Sequence, residues 1–311
     1  MPTLARPSPI RRRTWLTSAL LIGAAVWLAR PADAATPEAS EAVLEAVQVP
    51  AWVERSGDRR AAEPGQRLRA GDKALTATGS RVVFRLPDNS LVKLGEATEL
   101  DIETLTVKRG DAPAQMDTRM NLVTGVFRWT TDYASKARGE TRDLALRTAT
   151  ATVGVRGTDF WTMTDAAHDA VCVFEGHVEV MPQGKPSLHL DKPGAFWVTF
   201  TGQPDKPAGQ ATPDELAKFI GQGELQPGKG VMLAGGTWRV VVALLQRPVD
   251  AAALRGRLQK AGYPARVQPT PAGQEVLIAQ LATQADARAV LGRLQADASF
   301  GASQGRVVNR R

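Results

Sequence analysis

The sequence predicts a multi-domain fold: an all-β domain of roll or sandwich type, then a small α+β domain. Three observations predict it. Between Ala42 and Phe200, short apolar alternations are broken by Gly, Pro, Asp and Asn with almost no helical period, the pattern of a β-sandwich, barrel or roll. After Gly236 the periods change to strand, helix, strand, strand, helix, strand, the βαββαβ order of the ferredoxin-like motif. Ahead of both, Arg11 to Arg13 precede an apolar run from Trp15 to Ala29 that ends in Ala32-Asp33-Ala34, as a secretory leader does.

The leader comes first in the chain. Spanning a bilayer takes about 20 apolar residues, and Thr17, Ser18 and Arg30 leave this run too short to serve as an anchor. Residues 1–34 are therefore expected to be removed near Ala34, leaving no stable membrane span. Arg12-Arg13-Thr14-Trp15-Leu16 also resembles a twin-arginine signal, and an ordinary basic leader explains the same residues, so both export routes stay open. The leader takes with it five of the 39 basic residues and one of the 32 acidic ones, which lowers the net charge from +7 to +3. The remaining charges alternate in sign along the chain, which argues against nucleic acid or an anionic membrane surface as partner. Cys172 is the single cysteine, so no internal disulfide forms and packing must stabilise the fold in an oxidising compartment.

Residues 35–200 read as the β domain. Arg81 to Leu86 and Leu91 to Leu94 flank Pro87-Asp88-Asn89-Ser90, whose residues favour a turn, and so form a hairpin. From Thr148 to Thr152 a threonine stands at every second position, which puts the hydroxyls on one face and Ala149, Ala151 and Val153 on the other. Residues 201–235 shift to Gly, Pro, Gln and Lys and read as a semi-flexible linker. Within it, Thr212-Pro213-Asp214-Glu215 carries a cap hydroxyl, a first-turn proline and a capping-box glutamate, predicting a short helix over 213–220.

Residues 236–311 read as the α+β domain. Trp238 to Leu245 is a strand, and Asp250 is expected to cap a helix with Ala251, Leu254, Leu258 and Ala261 inward, stopped by Gly262. Pro264 to Thr270 and Gln274 to Ile278 form a hairpin. Thr283 opens a second helix with Ala287, Val290, Leu291 and Leu294 inward, and a last strand falls within Gly305 to Asn309.

The β domain resembles FecR-type periplasmic domains. The resemblance rests on Pro50-Ala-Trp-Val-Glu-Arg55, Leu68-Arg-Ala-Gly-Asp72, Thr78-Gly-Ser80, Leu86-Pro-Asp-Asn-Ser-Leu-Val-Lys-Leu94, Leu122-Val-Thr-Gly-Val-Phe127 and Gly154-Val-Arg-Gly-Thr-Asp159, in that order. It implies a periplasmic β-fold, known best from iron-citrate signalling regulators with a cytoplasmic anti-sigma segment and a membrane helix. Only ten residues precede the arginines, so a transmembrane anti-sigma role is not expected. The C-terminal domain is similar to SPOR domains through Trp238-Arg-Val-Val-Val-Ala-Leu-Leu245, Ala253-Leu-Arg-Gly-Arg-Leu-Gln-Lys-Ala-Gly-Tyr263 and Ala287-Arg-Ala-Val-Leu-Gly-Arg-Leu294. That resemblance implies binding to peptidoglycan glycan strands that have lost their stem peptides. Together they imply a protein of the periplasm of a Gram-negative bacterium.

Where SPOR first strands usually carry Gln and Gly, this chain has Val241 and Ala243. Alternation turns Arg239, Val241 and Ala243 outward beside Glu275, Leu277 and Ala279, so the open sheet face is expected to be apolar and to contact protein or glycan. In the β domain, Arg156, Thr158 and Asp159 are candidate ligand contacts, because Arg forks onto carboxylates and Thr bonds anions. The structural alternative is that Gly154 and Gly157 permit a bulge, with Arg156 pairing Asp159 or another strand's carboxylate. Glu175, His177 and Glu179 share a strand face. No further ligand cluster converges with them, so they read as a solvated face and no metal or cofactor is expected. Trp129, Trp161 and Trp197 read as core, and Cys172 as a buried apolar residue with no activating base. No phosphate loop, nucleophile elbow or metal-binding His pair is present, so the chain reads as non-catalytic.

The expected function is binding: a FecR-like module tethered by a SPOR-like module to peptidoglycan or to an envelope complex. The alternatives are a periplasmic signalling sensor that reports an envelope ligand to a membrane partner, and a protein scaffold that does not bind glycan.

Overall fold

The computed structural model describes residues 37–109, 113–139, 141–204 and 206–309, apart from the side chains of residues 135, 136 and 156. The leader lies outside the described residues. The described residues form one compact unit and are mostly β. No helix among the described residues is long and apolar enough to cross a membrane.

The strands of three or more residues begin with β1 (Ala42–Gln48), β2 (Ala51–Arg55), β3 (Asp58–Ala61), β4 (Asp72–Thr76), β5 (Arg81–Arg85) and β6 (Leu91–Leu94). Two long strands follow, β7 (Glu99–Lys108) and β8 (Gln115–Thr130), then the short helix α1 (Tyr133–Ala137) and β9 (Thr141–Arg147). The β domain continues with β10 (Ala151–Thr164), β11 (His168–Pro182), β12 (Leu188–Leu190) and β13 (Ala195–Phe200). Beyond it lie α2 (Pro213–Gly223), β14 (Val231–Leu233), β15 (Trp238–Leu245), α3 (Pro248–Lys260), β16 (Ala265–Thr270), β17 (Gly273–Leu281), α4 (Gln284–Ala296) and β18 (Arg306–Asn309).

The β domain is built by antiparallel neighbours, with one parallel pair, β8 with β9. The long strand β8 organises it: its first part pairs with β7 and β9, and its last part with β6 and β10. Alternation along these strands sends Leu100, Ile102, Met120, Phe127, Trp129 and Phe160 into one fully buried core. The hairpin β5–β6 turns through Asn89, at φ 66°. Asp88 steadies it by accepting from the Ser90 N–H at 3.0 Å and from its hydroxyl at 2.7 Å. Thr148 and Thr150 precede β10 in a turn, where both hydroxyls donate to the buried Asp169. The strand alternation therefore holds only from Ala151, with Ala151 and Val153 buried, whereas in the turn Thr148 is buried and Ala149 exposed.

In the C-terminal part, β15 pairs with β17 and β18, and β17 with β16, all antiparallel, so the order across the sheet is β18-β15-β17-β16. Val240, Val242, Val276 and Ile278 point into a core shared with Leu254 and Leu258 of α3 and Val290 and Leu294 of α4. Thr283 caps α4 by accepting from the Asp286 N–H. Asp250 does not cap α3. Pro248 occupies the first turn and Arg247 the cap position, and the Asp250 carboxylate forks instead onto the Arg247 guanidinium at 2.7 and 2.8 Å.

Residues 201–235 do not behave as a flexible linker. Helix α2 starts at Pro213 with a complete capping box between Thr212 and Glu215, and it extends to Gly223. Phe219 stacks on Trp161 at 4.1 Å and on Phe196 at 5.5 Å between ring centroids, forming a second core on the outer side of the sheet with Cys172 beneath. Strand β14 then pairs with β1 of the β domain and, at Met232, with β17 of the C-terminal sheet. The fully buried Asp286 carboxylate accepts from the Gly228, Gly230 and Val231 N–H groups, which ties the turn before β14 to α4. Composition cannot register these partners, because each lies far away in sequence.

Candidate functional site

The Arg156 to Asp159 segment folds as a bulge. The β10–β11 register breaks between Arg156 and Asp159 and again before Phe160. Gly157 takes φ 63° and, on the facing strand, Gly176 takes φ 84°, where a Cβ would stand 2.6 Å from the Thr158 Cγ2 atom and 2.7 Å from the Gly157 carbonyl oxygen. Only glycine fits there. Thr158 is buried, and its carbonyl accepts from the Thr131 N–H and hydroxyl. It is therefore not a surface contact. The Arg156 side chain lies outside the described residues.

Asp159 is engaged by Arg128, from another strand. Arg128 on β8 donates through Nε at 3.0 Å and Nη2 at 2.8 Å to the two Asp159 oxygens. Its Nη1 donates to Glu224 at 3.0 Å, and Glu224 also accepts from Lys93 Nζ at 2.5 Å. The guanidinium lies 5.0 Å from the Phe174 ring centroid. Burial is the largest influence on Arg128 and lowers its pKa, but the bonded Asp159, with Glu224 behind it, outweighs burial and raises the pKa overall. Two cations and two carboxylates balance, leaving no net charge for an incoming ion. The cluster instead latches the end of α2, through Glu224, to strands β6, β8 and β10.

The second candidate is the outer face of the C-terminal sheet. Arg306, Val241, Leu277 and Arg266 stand side by side across β18, β15, β17 and β16, and Arg239 sits opposite Val308. Alternation thus puts Val241 and Leu277 on the outer face, but a register shift between Val241 and Ala243 pairs Ala243 with the core residue Val276, so Ala243 packs against the inner core instead of facing outward. The face is not an open apolar one, however: Val241 is 1% and Leu277 4% exposed, with Arg239 partly buried. Long polar side chains in the same rows account for this burial, since Arg stems cover apolar surface while their heads stay in water. Arg306 donates to Glu275 at 2.6 Å and Arg266 to Glu63 at 2.8 Å. Beside them lies a groove of about 380 Å³ lined by Trp238, Arg239, Arg266, Gln268 and Gln280. The Trp238 ring packs against the inner core and only borders the groove, so guanidinium and amide donors dominate a surface that suits a polar ligand better than an apolar protein face. The chain reading missed Arg266 and Arg306 because only the strand order brings them here.

The other candidates do not converge. Glu175 and His177 are exposed, Glu175 accepts from the Tyr133 hydroxyl, and no group of three or more His, Cys, Asp or Glu among the described residues is placed to hold a metal ion. Trp129, Trp161 and Trp197 are buried in the two cores. Cys172 is a buried free thiol, pushed up to about 12 by burial first and by the Glu215 carboxylate second.

Residues 72–179 match the FecR protein family. That stretch runs from β4 into β11 and includes the bulge and the Arg128–Asp159 pair. Among solved structures, two crystal structures of a proposed anti-sigma factor from Parabacteroides distasonis are 16% and 15% identical to the chain. Each covers 74% of this chain, over 92% and 91% of its own length, with a TM-score of 0.37. No curated protein matches the chain.

Proposed function

We propose that the chain is a non-catalytic periplasmic signalling sensor, exported through its leader, whose FecR-type module reports an envelope ligand to a membrane partner. The FecR match over residues 72–179 carries this reading. The β1–β14–β17 pairing supports it physically, since hydrogen-bonded strands couple the β domain directly to the C-terminal sheet. A ligand that shifts one module is then felt at the surface of the other. The test is in-cell photo-crosslinking from Val249, which is 66% exposed. A crosslink to a membrane protein that changes with envelope conditions is expected. Retention of the full-length chain in the cytoplasmic fraction, or a crosslinking pattern indifferent to every condition, overturns the reading.

A second reading is favoured by the βαββαβ order and by the Trp238 and arginine groove: the C-terminal module is SPOR-like and holds the protein on glycan strands. Guanidinium and amide groups supply directed hydrogen bonds to a polar ligand. Co-sedimentation of the mature chain with sacculi, before and after amidase removes the stem peptides, tests it. Retention that rises on stripped glycan and is lost in Arg239→Ala supports tethering. Equal and negligible retention on both preparations leaves the sensor reading alone.

A further inference from the structure

We propose that the cleft between β3 and β16 is a slot for an extended acidic peptide of a partner protein, which pairs with both strand edges and joins the sheets of the two modules. Among the described residues β3 pairs only with β2, and β16 only with β17, so each has an unpaired edge. Unpaired edges are templates for an added strand.

The side-chain amide of Gln259 on α3 already spans the gap. Its Oε1 accepts from the Ala61 N–H at 3.2 Å, and its Nε2 donates to the Ala265 carbonyl at 3.1 Å. A peptide group in a middle strand does the same, pointing its C=O at one neighbour and its N–H at the other. The edges are therefore about one strand apart here, a separation of roughly 9.5 Å from edge to edge. Alternation then aims the Arg59 and Val267 backbone groups into the slot, two residues from Ala61 and Ala265. Pro269 falls in the same phase as Val267, as a proline on an edge strand must if no ladder bond is to be lost.

Beyond Gln259 the slot widens into a groove of about 770 Å³. Its walls are fixed. The Trp52 indole N–H donates to the Lys260 carbonyl at 2.9 Å, and Gly262 lies so close that a Cβ would stand 2.8 Å from the indole ring. Arg59, Arg60, Arg255, Lys260 and Arg266 line the groove against only Asp58 and Glu63. The Arg59–Glu54, Arg60–Asp58 and Arg266–Glu63 pairs are exposed or partly exposed and easily exchanged, and Arg255 and Lys260 have no acidic partner among the described residues. Main-chain pairing supplies the affinity, and the cations select carboxylate side chains. The slot stands whether the C-terminal module is held by glycan or not.

The test uses the mature chain, residues 35–311, and three fluorescein-labelled eight-residue peptides. One alternates Glu and Val, one alternates Lys and Val, and one is the Glu peptide with alternate backbone amides N-methylated. Fluorescence anisotropy is expected to show saturable binding of the Glu peptide and at least tenfold weaker binding of the other two. Amide hydrogen exchange should slow at Arg59 and Val267. The double variant Arg255→Glu, Lys260→Glu changes only exposed side chains and should weaken binding at least tenfold with an unchanged Tm. Absence of saturable binding by the Glu peptide overturns the proposal. So does equal binding of the N-methylated peptide, which would show charge attraction without strand pairing.

Discussion

Removing the Asp286 carboxylate tests whether the modules form one body. Its Oδ1 accepts from the N–H groups of Gly228 at 2.8 Å, Gly230 at 3.0 Å and Val231 at 2.9 Å, while its Oδ2 accepts from the Thr283 hydroxyl at 2.5 Å. In Asp286→Ala the Gly228 N–H can turn to water, because Gly228 is only half-buried, but the buried Gly230 and Val231 groups cannot. An unsatisfied buried donor costs about 1–3 kcal/mol, so two of them with the lost Thr283 bond should cost about 3–5 kcal/mol. Asp286→Asn keeps an oxygen at the Oδ1 position and loses only the charge assistance, which should cost about 1–2 kcal/mol because hydrogen bonds to charged groups are roughly twice as strong as neutral ones. Urea denaturation followed by tryptophan fluorescence measures both. The Ala variant should also separate into two transitions, since a loosened turn frees β14 from its pairing with β1 and β17. A loss below about 1 kcal/mol in Asp286→Ala would falsify the clamp, given a total stability of about 5–15 kcal/mol for such folds. An Asn variant as damaged as the Ala variant would show that charge, not the position of the acceptor, holds the turn.

Phe219→Ala removes the one large buried side chain of α2 and should cost about 3–5 kcal/mol, undocking the helix and speeding native-state alkylation of Cys172 at least tenfold; an unchanged rate sinks this account of the second core. The Cys172 thiol, pushed up to about 12 in the folded chain, lies above its unfolded value of about 8.5. The unfolded chain therefore releases its proton first. The stability contribution is complete below about pH 8.5 and falls by as much as about 1.4 kcal/mol per pH unit from there toward pH 12. Cys172→Ala should flatten the decline between pH 9 and 10.5, and a slope equal to the parent's would refute the assignment. Arg128→Met removes both guanidinium bonds to the Asp159 carboxylate and leaves Glu224 with Lys93 alone, which should cost about 2–4 kcal/mol for breaking a largely buried pair. Because Arg128 is buried, this loss should persist in 1 M salt, where the Debye length is about 3 Å. A loss that disappears with salt would mean an exposed, weak pair.

The elements that the sequence shows clearly are those fixed by neighbours along the chain. The capping box of Thr212 and Glu215, the Thr283 cap and the Asp88 turn all act across a few residues, and each starts or turns its element where the residues say. One failure is local, since Pro248 starts α3 two residues before Asp250 and Arg247 takes its carboxylate; the others are non-local. Gly228 and Gly230 look like linker composition, yet their N–H groups meet a carboxylate on α4. Asp159 meets a guanidinium on β8 that reaches both its oxygens because β8 pairs with β10, a partner 31 residues away that local sequence does not show. The outer sheet face makes the same point most sharply. Alternation along β15 and β17 correctly turns Val241 and Leu277 away from the helices, because which face a residue takes is decided by its own strand. Their exposure is decided by which strands flank them, and Arg306 and Arg266 become their neighbours only once β18 and β16 take the edges of the sheet. The same pair of apolar residues with short neighbours would have made a sticky protein-binding face. With arginines at both ends of the row they make a polar one, so the ligand class of this surface is set by strand order rather than by the apolar residues at its centre.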